Sequence, residues 1–273
     1  PSWGAGLQNA TSLRLGPLTP PESEALAAAL LGAGGLPEET RQHVLSRADG
    51  NPFYVEEILQ MLIERGSLAR VDGGWAIRTP VKDLAIPDSV HGVITARLDL
   101  LDGPSREALR RCSVMGRVFW PAGVGVEDGV MDALVPRGLV SESATSSVEG
   151  IREFRFKHAL THEVAYATLP RSERRTLHRR VAEWIEHVAP SRAAETAEVA
   201  AYHYERAIEH GETDREVAER AFDLLLQAGD AALSRAAIAS ALNSFSRALE
   251  RAPDASRRAR AQLAYGRARL TDP

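Results

Sequence analysis

Apolar positions along the chain recur mostly at helical spacing, interrupted by a few short alternating stretches. "LTPPESEALAAALL" predicts a first helix: Thr19 and Glu22 have capping-box spacing, and the two prolines suit a first turn. Gly32, Gly34 and Gly35 end it. "LPEETRQHVLSRA" predicts a second helix, and "NPFYVEEILQMLIERG" a third, closed by Gly66. Between those two, Gly50 can close a helix in the left-handed region, Asn51 can cap the next one, and Pro52 fits its first position.

The pattern then changes. "SLARVDGGWAIR" reads as two short strands around Asp72-Gly73-Gly74, a hairpin. "IPDSVHGVITARLDLL" returns to helix, with Asp88 or Ser89 as cap and Val90, Ile94, Leu98 and Leu101 on one face. Further helices follow in "GPSREALRRCSVMG", started by Pro104, and in the shorter "EDGVMDALVPRG". The strands "LVSES" and "EFRFK" flank a polar loop, with Phe154 and Phe156 on one side. Three helices followed by such a hairpin predict a winged helix. A helix starting near His158, a break at Pro170 and an amphipathic helix carrying Leu177, Val181, Trp184 and Ile185 come next.

The last stretch is repeat-like. With Pro253 as the closing proline of a tetratricopeptide unit, Ala248, Phe245 and Ala241 take its small–aromatic–small positions. Gly229 falls on its glycine, Ala228 on the neighbouring Leu position, and Leu225 on the Trp position. The expected fold class is therefore mainly α: a helical lid and a winged-helix domain, then a tetratricopeptide-like array, with two short β-hairpins.

Composition narrows the function classes. Apolar residues make up 44% and charged residues 26%, enough for a real core in a chain with an ordinary soluble balance. The net charge of −4 gives no bulk attraction to nucleic acid or anionic membrane. The Arg-rich "RSERRTLHRR" is offset: between Asp88 and Pro190 acidic and basic residues are equal in number, so a solvated face is the better reading than a duplex-binding one. The single cysteine, Cys112, excludes an internal disulfide framework and fits a reducing cytosol, so the expected location is cytoplasmic. No apolar run is long enough to cross a bilayer. The opening "PSWGAGLQNATSLRL", with strand-like Thr11–Leu15, reads as mid-sequence, so a longer parent chain is expected.

No catalytic constellation is visible. The sequence has no G-x-x-x-x-G-K-[ST] phosphate loop, G-x-G-x-x-G turn or G-x-S-x-G elbow. Cys112, inside a helix with apolar neighbours, reads as a buried structural thiol. His158 and His162 have metal-ligand spacing but lack the glutamate base of H-E-x-x-H, so no metal site is assigned. What remains are two helix starts, Asn51-Pro52 and Lys157-His158, whose unpaired N–H groups suit an anion. Pro52 offers a flat apolar ring for a purine, and His158 a donor for a phosphate oxygen.

The phrases "RADGNPFYVEEILQMLIERG", "IPDSVHGVITARLDLL", "MGRVF" and "EFRFKHALTHEVAYATLPRSERRTLHRRVAEWIE", in this order, resemble the signal-transduction ATPases with numerous domains. This STAND class of P-loop ATPases includes bacterial adenylate or guanylate cyclase-associated proteins and large LuxR-type regulators. The resemblance implies five segments: 1–18 as the end of a nucleotide-binding core, 19–66 as the lid, 67–157 as the winged helix, 158–190 as linking helices and 191–273 as sensor repeats. It implies that Gly50-Asn51-Pro52 matches the family's glycine-x-proline lid motif, with Pro52 against adenine. It also implies that His158 reads the β-phosphate of ADP, as the histidine of the Met-His-Asp motif does in related switches. Lys157 and Ala159 depart from that motif. ATP or ADP, with Mg²⁺ held by an upstream core, would then be cofactors of the parent protein. The partners would be that core and a protein or small ligand on the repeats. The fragment itself is expected not to be an enzyme. Two other readings stand beside this one: a DNA-binding winged-helix regulator, and a tetratricopeptide scaffold that holds a peptide.

Overall fold

Capping and turn chemistry set the first helices, in a computed structural model that describes residues 15–32, 35–72, 74–188, 190 and 193–271. Helix α1 (Pro20–Leu31) begins where the Glu22 carboxylate accepts both the Thr19 N–H, at 2.8 Å, and its hydroxyl, at 2.7 Å. Helix α2 (Glu38–Ala48) ends at Asp49 in the left-handed region, and α3 (Pro52–Glu64) follows after two further residues, Gly50 and Asn51. Strands β1 (Leu68–Val71) and β2 (Gly74–Ile77) pair antiparallel, with Val71 opposite Gly74. Asp72 supplies a positive φ of 48° at the turn, as a two-residue hairpin loop demands. Helix α4 (Val90–Asp99) is capped by Ser89, whose hydroxyl accepts the Gly92 N–H at 3.1 Å. Of the expected elements, Thr11–Arg14 of the opening strand, Gly34 and Gly73 lie outside the described residues.

The chain divides into two compact units after Leu100. The first is built around α3, whose Val55, Ile58, Leu59, Met61 and Leu62 are buried against Val44, Leu68 and Val93. A charged cluster lies inside that core. Arg97, 1% exposed, reaches from α4 to α3, where Nη1 donates to Glu57 at 2.6 Å. Its Nε and Nη2 donate to Glu64 at 3.1 and 2.8 Å. Desolvation raises the pKa of Glu57, and Arg97 opposes that rise.

The second unit starts with α5 (Gly103–Cys112), capped by Asp102, and α6 (Asp128–Leu134). Strands β3 (Val118–Phe119), β4 (Val140–Glu142) and β5 (Phe154–Phe156) form a three-stranded antiparallel sheet in the order β3-β5-β4. The hairpin expected here is β4–β5; β3, on its other edge, had no alternation long enough to read. Phe119, Phe154 and Phe156 are buried on this sheet, with ring centroids 6.0 and 5.0 Å from Phe119. Within the second unit the order is helix–strand–helix–hairpin (α5, β3, α6, β4–β5), whereas α4, part of the expected 67–157 segment, belongs to the first unit.

Helices α7 (Ala159–Ala167) and α8 (Arg171–Val188) are separated by Pro170. Helices α9 (Ala193–Glu209), α10 (Arg215–Ser234), α11 (Ile238–Arg251) and α12 (Ala255–Leu270) continue the array, and from α8 onward each helix packs on the next. Leu225, Ala228, Ala241, Phe245 and Ala248 are all buried, as the tetratricopeptide alignment requires. The fold is thus mainly α, with twelve α-helices and two small sheets among the described residues.

Candidate functional site

The turn before α3 is tightly determined. Asp49 and Gly50 both have positive φ, 46° and 71°, so two consecutive left-handed residues reverse the chain where glycine alone had been expected to do so. The Gly50 carbonyl accepts the Leu18 N–H at 2.8 Å, and a Cβ built on Gly50 would lie 2.5 Å from the Leu18 carbonyl oxygen. Only glycine fits there. Asn51 donates its N–H to the Ala48 carbonyl, and its side-chain oxygen accepts the N–H groups of Phe53 and Tyr54 at 3.1 and 3.3 Å.

That cap has a chemical consequence. Pro52 has no N–H, and the next two donors already bond Asn51, so the first turn of α3 has its backbone donors satisfied. What this turn presents outward is the exposed Pro52 ring rather than an anion-binding set of N–H groups. A concavity of about 440 Å³ lies beside the turn, walled by Pro17, Leu18, Pro20, Leu45, Asp49 and Gly50 among others; Pro52 is not part of its wall.

His158 directly follows β5 and is the N-cap residue of α7, with φ −125° and ψ 143°. Its side chain is half-buried and makes no cap hydrogen bond to α7. The segment is held by the sheet: Phe156 N–H donates to the Arg117 carbonyl at 2.9 Å, and Lys157 N–H to the Leu139 carbonyl at 3.1 Å. Pro52 belongs to the first compact unit and His158 to the second. His162 is engaged elsewhere, its Nε2 lying 2.9 Å from the Ser113 carbonyl oxygen, which makes that nitrogen the donor. Cys112 is fully buried, and burial pushes its thiol pKa far up, so it is an inert core side chain.

The Arg-rich face of α8 is occupied with structural bonds. Arg171 donates to the Glu209 carbonyl, Arg174 to the Tyr166 and Ala167 carbonyls, and Arg179 to Glu183 and Asp214.

A histidine network went unread in the sequence. His178 Nδ1 and His203 Nδ1 are 2.8 Å apart, so one donates to the other. The Tyr166 hydroxyl lies 3.0 Å from His178 Nε2 and 3.2 Å from His210 Nε2. One neutral chain satisfies every contact: His210 N–H to the Tyr166 oxygen, Tyr166 O–H to His178, and His178 N–H to His203. Burial lowers the pKa of His178 and brings that of His203 to about 4, with nearby Arg174 and Arg206 also opposing a proton on His178. The available signal was positional, since His178 and His203 sit on the apolar stripes marked by Leu177–Val181 and Ala200–Tyr204–Ala207.

A family model described as a domain of unknown function (DUF8739) matches residues 19–74. No curated protein matches the chain. Among solved structures it is similar to the crystal structure of a Signal Transduction ATPase with Numerous Domains (STAND) protein with a tetratricopeptide repeat sensor from Pyrococcus horikoshii, at 13% sequence identity and a TM-score of 0.43. That likeness covers 98% of this chain and 46% of the other, so the chain spans less than half the length of that structure.

Proposed function

We propose that residues 1–273 form the regulatory part of an ATP/ADP-dependent signal-transduction switch. In this reading the lid and winged helix close on a nucleotide held by a P-loop core outside these residues, and the repeats are the sensor or partner-binding arm. The observation that carries the proposal is the Asp49–Pro52 turn. Its backbone is fixed by the Gly50–Leu18 contact, its donors are consumed by Asn51, and an apolar ring is left facing outward. Such a turn suits packing against a flat purine and offers little to a phosphate. His158 then supplies the phosphate contact from the start of α7, within a helix start whose partial positive charge favours an anion.

The test uses a longer chain that carries the core. His158→Ala should speed release of a fluorescent ADP analogue about tenfold or more, and a photoreactive adenine analogue should label the turn at Pro52. Unchanged ADP release together with labelling elsewhere would overturn the proposal. So would ATP turnover by residues 1–273 alone, because those residues contain no phosphate loop.

A further inference from the structure

Within the second unit, a cleft of about 590 Å³ opens between the β4–β5 loop, α8 and α9. Its size falls in the range of small-molecule sites. Two indoles stand in it, Trp120 from the segment after β3 and Trp184 from α8, with ring centroids 5.9 Å apart and planes inclined by 32°. Trp184 is held by what lies behind it. A Cβ on Gly123 would lie 2.9 Å from its ring, so the glycine lets the indole lie directly on the backbone. Ile185, Val188 and Val199 complete an apolar wall, and Val199 is 50% exposed although it lines a concave surface.

The polar lining is largely turned inward. Ser146 accepts from the Trp120 indole N–H at 3.3 Å and from the Val148 N–H at 3.1 Å, and the Ser147 hydroxyl donates to Glu153 at 2.9 Å. Among the described residues Glu149 is the one charged side chain in the wall. Two other concavities of this unit differ in kind. They are walled by paired ions, such as Arg179 with Glu183 and Arg251 with Glu209, where an apolar guest would bury charge.

We propose that this cleft is a binding site for a flat, apolar small molecule, uncharged or carrying one positive charge. Inclined indole faces match a planar ring system through dispersion, and they attract a cation through their π-faces. Glu149, the one charged side chain of the wall among the described residues, complements a positive group and repels an anion. The proposal is independent of the nucleotide reading, since none of its residues belongs to the turns at Pro52 or His158.

The probes are N-phenyl-1-naphthylamine, which is neutral, and 8-anilinonaphthalene-1-sulfonate, a related anion. The neutral probe should bind the 273-residue chain saturably at one site, quenching tryptophan emission, and at least tenfold tighter than the anion. Val199→Arg, at an exposed helical position, should abolish binding while leaving the circular dichroism spectrum unchanged. Glu149→Lys, on an exposed loop, should reverse the preference and serves as the test should Val199→Arg not fold. The idea is overturned by unsaturable binding, or by equal affinity for both probes in wild type and Glu149→Lys. It is equally overturned if light scattering shows a dimer whose formation excludes the neutral probe, because the cleft would then seat a second copy of the chain.

Discussion

Gly50, Asn51 and Pro52 are adjacent, yet each is fixed by a different physical constraint, and substitutions should separate them. Gly50→Ala forces a Cβ into the left-handed region and against the Leu18 carbonyl oxygen, an atom held by backbone. We expect a loss of about 2–3 kcal/mol in urea unfolding. Asn51→Ala removes the acceptor for Phe53 and Tyr54 and should cost about 1 kcal/mol. Pro52→Ala removes an exposed ring and should change stability by less than about 1 kcal/mol. A large loss at Pro52 would mean that its ring is a core element rather than a surface available to a ligand. The sequence disclosed these roles because glycine permits a positive φ, asparagine caps helix starts and proline fixes φ for a helix's first position. It did not disclose that Asp49 would share the left-handed turn, since aspartate adopts that region only when its surroundings hold it there. Nor did it disclose that Asn51 would use up the N–H groups that a helix start otherwise offers to an anion.

Elements were legible where their period was long. Helix α3 and the β1–β2 hairpin follow directly from apolar spacing and turn residues, whereas β3 consists of two residues and owes its existence to pairing with β5. The histidine network was opaque for a related reason. Its members lie on α7, α8, α9 and the turn after α9, and only packing brings them together. The network should make these helices acid-sensitive. His178 and His203 have folded pKa values below their ordinary 6.5, so the unfolded chain binds protons more readily. Stability is therefore complete above pH 6.5 and falls as pH drops from 6.5 to about 4. The limiting slope is about 1.4 kcal/mol per pH unit for each histidine. Arg171, Arg174 and Arg206 face the same cluster and oppose its protonation, while Glu209 on α9 favours it at His210. Urea midpoints measured from pH 7.5 to 4.5 should trace this decline. His203→Gln, which keeps a polar partner but does not titrate, should flatten it by about a third to a half, since His178 and His210 still titrate. An equally steep curve for that variant would place the acid sensitivity elsewhere.

Across the molecule as a whole, the sequence was most informative where one residue type is forced by another far along the chain. The tetratricopeptide spacing put Gly229 and Phe245 on its glycine and aromatic positions, and in the second unit the phenyl ring of α11 presses onto that glycine of α10. A Cβ at Gly229 would lie 2.6 Å from Phe245 Cδ1. Helices that stack only on their neighbours rely on such close approaches, because no distant element compensates for a gap or a clash. Gly229→Ala sets two effects against each other. A helix-interior alanine gains about 1 kcal/mol over glycine, while overpacking a filled core costs about 1–3 kcal/mol. Overpacking should win, for a net loss near 1 kcal/mol. Phe245→Leu alone leaves a void and should destabilise by a similar amount or more. Combined, the smaller leucine makes room for the new methyl, so the double variant should be more stable than the sum of the single losses by at least about 1 kcal/mol. Additivity within about 0.5 kcal/mol would mean that the two residues do not share the contact on which the α10–α11 repeat unit is built.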